Sequence, residues 1–332
     1  MNKLHLVIDF IIITIVAAFL LSSCSAVKDN GTNVNKDNTP ELFASANPVS
    51  KVNGLEEEIR GVWIASVHNI NFPSKPDLSV KELKSELEKI IDVVKDHNMN
   101  TIFFQVHPSA DTLYRSDIYP VSKYLYSDGV LKFDPLEYMT KLCTENGIAL
   151  YAWINPLRVT ASSSKTEDEA TEMLPDGSPG KDKDMTVFYG DGKLYFDCGL
   201  ESVRNLVADT VEEIVTHYDI DGIVFDDYFY PYPVKDSAGN ICVFDDSDTF
   251  AKAKTKLSRD DWRRDNVNQM IKSCYTRIKG IEPDVKFGVA PFGIWKNNDG
   301  KNGGSNTSGM EAYYEIYCDA LSWIREIGRA HV

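Results

Sequence analysis

The chain has 332 residues, of which 43% are hydrophobic, and its 50 acidic and 35 basic residues give a formal net charge of −15. This size allows one large buried core or two small ones. The acidic balance argues against nucleic acid or another polyanion as the partner, because phosphate binding requires a basic surface. Six cysteines without a C-x-x-C pair predict neither a zinc site nor a dense disulfide framework, and most of them are interpreted as buried free thiols.

Residues 1–24 have the pattern of an export signal: a lysine near the start, an apolar segment, and the cleavage site L-S-S-C. This ending resembles the lipobox of bacterial lipoproteins, so Cys24 is the predicted lipidation site. The alternative is an ordinary signal peptide whose cysteine is incidental. Residues 25–57 are too polar to bury a core and are predicted to form a disordered tether. We therefore expect an exported lipoprotein, anchored on the extracytoplasmic side of a bacterial membrane.

From residue 58 onward, strand patterns alternate with helix patterns. Strands are predicted at 59–66, 101–106, 148–154, 222–226 and 285–290. Helices are predicted after a capping box at Ser79–Glu82 and at 135–146, 201–218, 261–279 and 311–325. Two long polar segments, 159–191 and 232–258, interrupt the alternation of strands and helices. The first contains a predicted hairpin turn at Gly190-Asp191-Gly192. The pattern predicts a parallel α/β fold of the (β/α)8-barrel (TIM-barrel) type.

The stretch 218–231, Y-D-I-D-G-I-V-F-D-D-Y-F-Y-P, is the most informative part of the chain. Its short apolar run suits a strand that is buried on both faces, as in a parallel sheet. Asp226 and Asp227 follow this run directly, and three aromatic residues come after them. A lone aspartate here would more often be a helix cap or a loop ion pair. Two adjacent acids with aromatic neighbours favour a site, because barrel enzymes place their chemistry at the carboxyl ends of the strands.

Polar and aromatic residues also gather at the ends of the other predicted strands. Sugars present apolar C–H faces and hydroxyl groups, which match aromatic stacking and hydrogen bonding by amides, carboxylates and arginines. Each tryptophan alone would more often be a core residue, but the shared position at strand ends favours substrate binding. The predicted substrate contacts are Trp63, Gln105, His107, Tyr114, Trp153, Asn155, Arg158, Tyr228, Tyr230, Arg264, Phe292 and Trp295.

Five motifs resemble the glycosyl-hydrolase-like 10 domain family: R-G-V-W-I-A, N-T-I-F-F-Q-V, L-Y-A-W-I-N-P, the stretch 218–231 and W-R-R-D-N-V-N. The resemblance covers about residues 58–323 and implies an exported bacterial β/α-barrel protein linked to cleavage of cell-wall (peptidoglycan-type) glycan. There are two departures from the family pattern. His107 stands where the family commonly has arginine, and Cys198 stands where it commonly has proline before Gly199.

Glycosidases use two carboxyl groups that flank the scissile bond. Asp226 continues the alternation set by Val224 and is the predicted nucleophile or base. Asp227 is the weaker candidate, as general acid or as a group that orients Asp226, since adjacent strand residues point to opposite faces. No cofactor and no metal are predicted. One alternative is a glycan-binding lipoprotein without catalysis. The other is a metal-dependent hydrolase whose ligands are His68, His107 and the two aspartates, although neither histidine belongs to an H-x-H or H-E-x-x-H pattern.

The end of the chain has a different character. Residues 326–332 show neither strand nor helix pattern and could be encoded by a common sequencing adapter, so they are expected to be a non-native tail. The region 58–325 is then expected to hold only the first five to six β/α units of a C-terminally truncated barrel. Such a chain would leave strand edges unpaired and be inactive as it stands.

Overall fold

The computed structural model describes residues 58–226, 229–301 and 303–327. Residues from Glu58 onward form one compact unit. The predicted signal peptide with Cys24, the tether, Asp227, Tyr228 and residues 328–332 lie outside the described residues. In the part of the chain that is described, no helix is long and apolar enough to cross a lipid bilayer.

Seven strands form two sheets within the described ranges. They are β1 (Gly61–Ile64), β2 (Thr101–His107), β3 (Ala149–Ile154), β4 (Thr186–Phe188), β5 (Leu194–Phe196), β6 (Gly222–Phe225) and β7 (Lys286–Val289). The main sheet is wholly parallel with the order β1-β2-β3-β6-β7, and β4 pairs with β5 in an antiparallel hairpin. The five predicted strands and the parallel α/β fold are therefore confirmed. Parallel strands in chain order are also how a β/α barrel begins. Closure of the sheet into an eight-stranded barrel stays a prediction, and so does the C-terminal truncation of that barrel.

Among the described residues, six helices lie between these strands and two follow β7. They are α1 (Val80–Asp96), α2 (Pro135–Asn146), α3 (Glu167–Glu172), α4 (Glu201–His217), α5 (Ser247–Ala253), α6 (Arg259–Ile281), and then α7 (Ala312–Glu315) and α8 (Ala320–Ser322). Two short 3-10 turns lie at Val67–Asn69 and Pro179–Lys181, and a π-helical turn at Trp323–Ile327. The predicted capping box opens α1: the Ser79 backbone N–H donates to the Glu82 carboxylate at 2.9 Å, and the Glu82 N–H donates to Ser79 Oγ at 3.3 Å. Gly147 ends α2 in the left-handed conformation, with φ 65°.

The single helix predicted at 311–325 is wrong, because the segment breaks between α7 and α8. Tyr317 has φ 56°, which a helix cannot accommodate. The Cys318 backbone N–H donates to the Ala312 carbonyl at 3.0 Å, and the Tyr317 hydroxyl accepts from Arg263 at 2.7 Å. Side-chain contacts with the rest of the domain thus override the local helix pattern. The short helices α3 and α5 lie inside the two polar segments and were not predicted.

The two faces of the main sheet have different surroundings. Alternate residues such as Phe104, Ile154 and Phe225 are fully buried in the core cluster, which also includes the apolar faces of the helices. The opposite face carries Trp63, which is 40% exposed and stacks on Phe103 at 4.5 Å. Aromatic side chains therefore cover the sheet face that points away from the main core.

Most cysteines in the described region are buried, as predicted: Cys143, Cys198, Cys274 and Cys318. Burial raises the pKa of the Cys198 thiol to about 12. The departure from the family pattern at this position therefore places a neutral, buried thiol before Gly199.

Candidate active site

Four side chains form a strand-end network at the carboxyl edge of the main sheet: Gln105, Asn155, Arg158 and Asp226. Gln105 is buried, and its Oε1 accepts from the backbone N–H groups of Ser66 at 2.8 Å and Val67 at 3.0 Å. Its Nε2 donates to Asn155 Oδ1 at 2.6 Å. Asn155 Nδ2 in turn donates to Asp226 Oδ2 at 3.3 Å. The network joins the segments that follow β1, β2, β3 and β6.

The register of the sheet explains why these residues meet. Trp153 is the partner of Gln105 on β2 and of Val224 on β6, so these three residues lie in one row across the strands. Side chains alternate along a strand, so Asn155 and Asp226, each two positions further on, point to the same face as Trp153 and Val224. The short strands end just there, which leaves Asn155 and Asp226 at the rim.

Arg158 fixes the orientation of the Asn155 amide. Its Nη2 donates to Asn155 Oδ1 at 3.0 Å, and its Nε donates to the Pro108 carbonyl at 2.8 Å. The amide oxygen of Asn155 thus receives two donors, from Arg158 and Gln105, so the amide NH2 group must face Asp226. The carboxylate of Asp226 is therefore held by a donor whose direction is set by two other side chains.

An aromatic surface adjoins this network. Trp63 and Trp153 meet edge to face, with ring centroids 5.0 Å apart. Trp153 is half-buried, and its indole Nε1 is a buried donor without a hydrogen-bond partner among the described residues. The exposed apolar ring of Trp63 is suited to stacking on a sugar. Contact of either tryptophan with a substrate stays a prediction.

Phe292 and Trp295 follow β7 and are half-buried. Phe292 packs edge to face on Tyr232, with centroids 5.9 Å apart. Trp295 donates from Nε1 to Asp319 Oδ1 at 3.0 Å and packs against Tyr313. Their side chains are accessible in part, and contact with a substrate stays a prediction for both.

His107 and Tyr114 do not face the strand-end network, which corrects their predicted role. A bulge between Gln105 and His107 breaks the alternation of β2. The His107 ring packs on Tyr119 with centroids 4.4 Å apart, its Nδ1 lies 2.9 Å from the Asp111 carbonyl oxygen, and burial lowers its pKa to about 4. Tyr114 is completely buried, and its hydroxyl donates to Glu213 at 3.2 Å. Neither side chain can reach a ligand without disrupting this packing.

Tyr230 and Arg264 are also buried, so their predicted contact with substrate is corrected in the same way. Tyr230 is 2% exposed and lies between the rings of Phe244 and Tyr317. Arg264 stacks over Tyr313 at 4.1 Å, donates to the Tyr313 carbonyl at 2.9 Å and pairs with Asp261 at 2.7 Å. Both residues hold the C-terminal segment against the domain. The predicted roles of Asp227 and Tyr228 fall outside the described residues.

The residues proposed for the metal-dependent alternative do not come together. His68 is exposed, and its Nδ1 is bonded to the Tyr124 hydroxyl at 3.1 Å, whereas His107 is buried against Tyr119. Across the described ranges, no group of three or more His, Cys, Asp and Glu side chains could hold a metal ion.

The predicted site residues leave out two features of this edge. The backbone N–H groups of Ser66 and Val67 belong to the network through Gln105, and no side-chain pattern could indicate them. Asp111 lies in the segment after β2 and is 5% exposed, and burial raises its pKa to about 6. Its position beyond a predicted strand end was the available signal, but a single acid in a loop is usually structural.

These observations define a parallel α/β protein with a carboxylate, amides and aromatic surfaces at the carboxyl ends of its strands. The chain belongs to the Glycosyl hydrolase-like 10 family, whose profile matches residues 58–328, and the predicted resemblance is confirmed. It is 40% identical over 278 residues to "Glycosyl hydrolase YngK" of Bacillus subtilis (strain 168), covering 82% of this chain and 52% of that protein. It is 30% identical over 334 residues to "Glycosyl hydrolase DigH" of Escherichia coli (strain K12), covering 95% of this chain and 72% of that protein.

The chain thus spans about half the length of the Bacillus relative. Among solved structures, the glycoside hydrolase domain of PgaB (BpsB) from Bordetella bronchiseptica is similar at 13% identity with a TM-score of 0.45. The superposition covers 70% of this chain and 65% of that one. A likeness at this level carries no argument about activity.

Proposed function

We propose that the protein hydrolyses glycosidic bonds in bacterial cell-wall glycan, with Asp226 as the nucleophile or base. The observation that carries this proposal is the hydrogen bond from Asn155 to Asp226 within a buried, fully directed amide network. A carboxylate held in one orientation at a strand end is what attack on a sugar carbon, or activation of a water molecule, requires. Family membership and the names of the relatives support the same reaction class.

The surroundings of Asp226 support the substrate class that we propose. Trp63 and Trp153 offer ring surfaces for the C–H faces of sugars, and the half-buried guanidinium of Arg158 lies beside the network that orients Asp226. A net charge of −15 disfavours a strongly anionic polymer. We propose a glycan of the peptidoglycan type, and no cofactor.

The second carboxyl group of the reaction is proposed as Asp227, next to Asp226 in the chain. Adjacent residues of an extended segment point to opposite sides, so Asp227 would serve as proton donor only if the chain turns immediately after β6. The location we propose is extracytoplasmic, with a lipid on Cys24, since the chain begins with an export-signal pattern.

A glycan-binding protein without catalysis is the second candidate. The observation that favours it is the exposed ring of Trp63 packed beside Trp153, because an exposed aromatic surface binds sugars whether or not a carboxylate reacts.

The test is release of reducing ends from peptide-free cell-wall glycan by the complete gene product that carries this chain. We expect release that continues in the presence of a chelator. Glycan binding without new reducing ends would contradict hydrolysis and support the binding protein, and loss of activity with the chelator would revive the metal-dependent alternative.

A further inference from the structure

A narrow notch opens beside the strand-end network. It lies between the segment 109–124, which follows β2, and the segment 159–175, which follows β3. Its polar lining consists of Ser109, Asp111, Lys123, Tyr124, Thr160 and Ser162. The free space is about 20 Å³, enough for one group of the size of a water molecule.

Asp111 is an unusual carboxyl group for a structural role. Ser109 Oγ donates to its Oδ1 at 3.1 Å, and among the described residues it forms no ion pair. Asp246 shows the contrast: it is equally buried, but Arg263 binds both of its oxygens at 2.7 Å and Arg259 also contacts it. Burial therefore raises the pKa of Asp111, and the hydrogen bonds of Ser122 and Ser109, with the positive charges of Lys123 and Arg158, offset this only in part. A buried carboxyl group in a cleft, held by serine hydroxyls and by no ion pair among the described residues, marks a functional-site candidate.

The notch is placed to receive a chain that also occupies the Asp226 site. The Ala110 backbone N–H donates to the Val159 carbonyl at 3.2 Å, which joins the two walls of the notch next to Arg158. Arg158 in turn contacts Asn155 of the strand-end network. Measured across the strands alone, the order β2-β3-β6 and a strand spacing of about 4.8 Å separate the notch from Asp226 by one to two strand widths, roughly 5–10 Å.

We propose that this notch is a saccharide subsite that binds one hydroxyl group of the sugar unit next to the one at Asp226. The inference rests on the proposed function for its substrate class. The sugar hydroxyl donates to the Asp111 carboxyl group. The Thr160 hydroxyl accepts from the Leu194 N–H at 3.0 Å and so keeps its own hydrogen to donate to the sugar oxygen. Met173 and Leu174 supply the apolar wall for the ring.

The experiment measures binding of β-1,4-linked N-acetylglucosamine oligomers, from dimer to hexamer, by titration calorimetry. The protein is the complete gene product with Asp226→Asn, so that oligomers are not consumed. We expect affinity to rise in a step at the length that reaches the notch. Adding Asp111→Asn should remove that step, a loss of about 10- to 100-fold for long oligomers, and leave short oligomers unaffected.

Asp77→Asn is the matched control. The Asp77 carboxylate accepts from Ser127 at 2.5 Å and 3.0 Å, so it too is bonded to a serine, but it is exposed and lies outside the notch. The length series should be unchanged by this substitution. Ser162→Ala, at the half-buried mouth of the notch, is the second variant if Asp111→Asn does not fold, and it should reduce the same step several-fold.

Equal weakening at every oligomer length would show a structural role for Asp111 and overturn the subsite. Absence of a length step in the parent protein would overturn it too. Failure of the proposed function is a separate result: no reducing ends would be released from cell-wall glycan while the length-dependent step persists.

Discussion

Asn155 donates from Nδ2 to Oδ2 of Asp226 over 3.3 Å and thereby connects the ends of β3 and β6. Its amide cannot turn around, because Gln105 and Arg158 both donate to the Asn155 oxygen. The reactive group of the proposed mechanism is therefore oriented by residues of two neighbouring strands. This relationship leads to the first prediction.

Asn155→Ala should lower kcat more than it changes KM. The substitution removes the donor to Asp226 and leaves the buried amide of Gln105 without its acceptor, so we expect about a 10- to 100-fold loss in kcat. Steady-state release of reducing ends is the measurement. Asn146→Ala, at the last residue of α2 and before the opposite end of β3, is the control and should behave like the parent. A loss confined to KM would show that Asn155 binds substrate instead of orienting Asp226.

Asp111→Asn should stabilise the protein at neutral and alkaline pH. The folded-state pKa of about 6 lies above the usual 3.8, so the folded state binds the proton more tightly and the parent loses stability as pH rises from about 4 to 6. The free energy of unfolding of the variant should exceed that of the parent by on the order of 1–3 kcal/mol near pH 8. This difference should vanish near pH 4. Urea unfolding at both pH values measures it. A gain that is equal at the two pH values would contradict this account of the buried carboxyl group.

Asp77→Asn should change the free energy of unfolding at neutral pH in the opposite direction and lower it. Hydrogen bonds from Ser127 lower the pKa of Asp77, so its ionised form favours the folded state above about pH 4, and this contribution is lost as pH falls through the folded-state pKa. The variant should be slightly less stable than the parent near neutral pH and indistinguishable from it in acid. The same urea series tests this, and a more stable Asp77→Asn at neutral pH would contradict it.

Arg263→Met should be strongly destabilising. Arg263 binds both oxygens of the fully buried Asp246 and the Tyr317 hydroxyl, so its loss leaves a buried carboxylate with only Arg259. The expected loss in the free energy of unfolding is roughly 3 kcal/mol. Arg277→Met breaks the half-exposed pairs with Asp209 and Glu212 and should cost less than about 1 kcal/mol. Equal losses in the free energy of unfolding for the two substitutions would show that the burial of Asp246 does not determine the size of the loss.

Cys24→Ser should release the protein from the membrane fraction or block its processing. The segment 25–57 is too polar to bind lipid, so anchoring would depend on acyl chains. Fractionation of cells that express the complete gene product is the measurement, with Cys242→Ser as the control that should stay membrane-bound. Unchanged membrane association of Cys24→Ser would contradict the lipobox interpretation.

Much of the fold could be predicted because local signals and periodicity agree with it. Ser79 and Glu82 mark a helix start by their own hydrogen bonds, and Gly147 marks a helix end by its conformation. The broken helix around Tyr317 could not be predicted, since contacts with Arg263 on a distant helix decide it.

The site could be predicted only where alternation along a strand persists. Trp153, Asn155 and Asp226 follow the pleat and lie where the sequence suggests. His107 and Tyr114 follow the bulge of β2, and Tyr230 and Arg264 lie beyond the strand and on a helix, so the sequence does not indicate their directions. Asp111 stands out only by its burial without an ion pair, which depends on neighbours far along the chain.

The most direct test of the central claim is the rate of reducing-end release by Asp226→Asn. The amide keeps the size of the side chain but can neither attack nor accept a proton, so release from peptide-free glycan should fall about 10²- to 10⁴-fold with folding and glycan binding retained. Asp219→Asn, an exposed acid before the opposite end of β6, should leave the rate unchanged. Activity of Asp226→Asn within about tenfold of the parent would contradict the assignment of Asp226 as the reactive carboxylate.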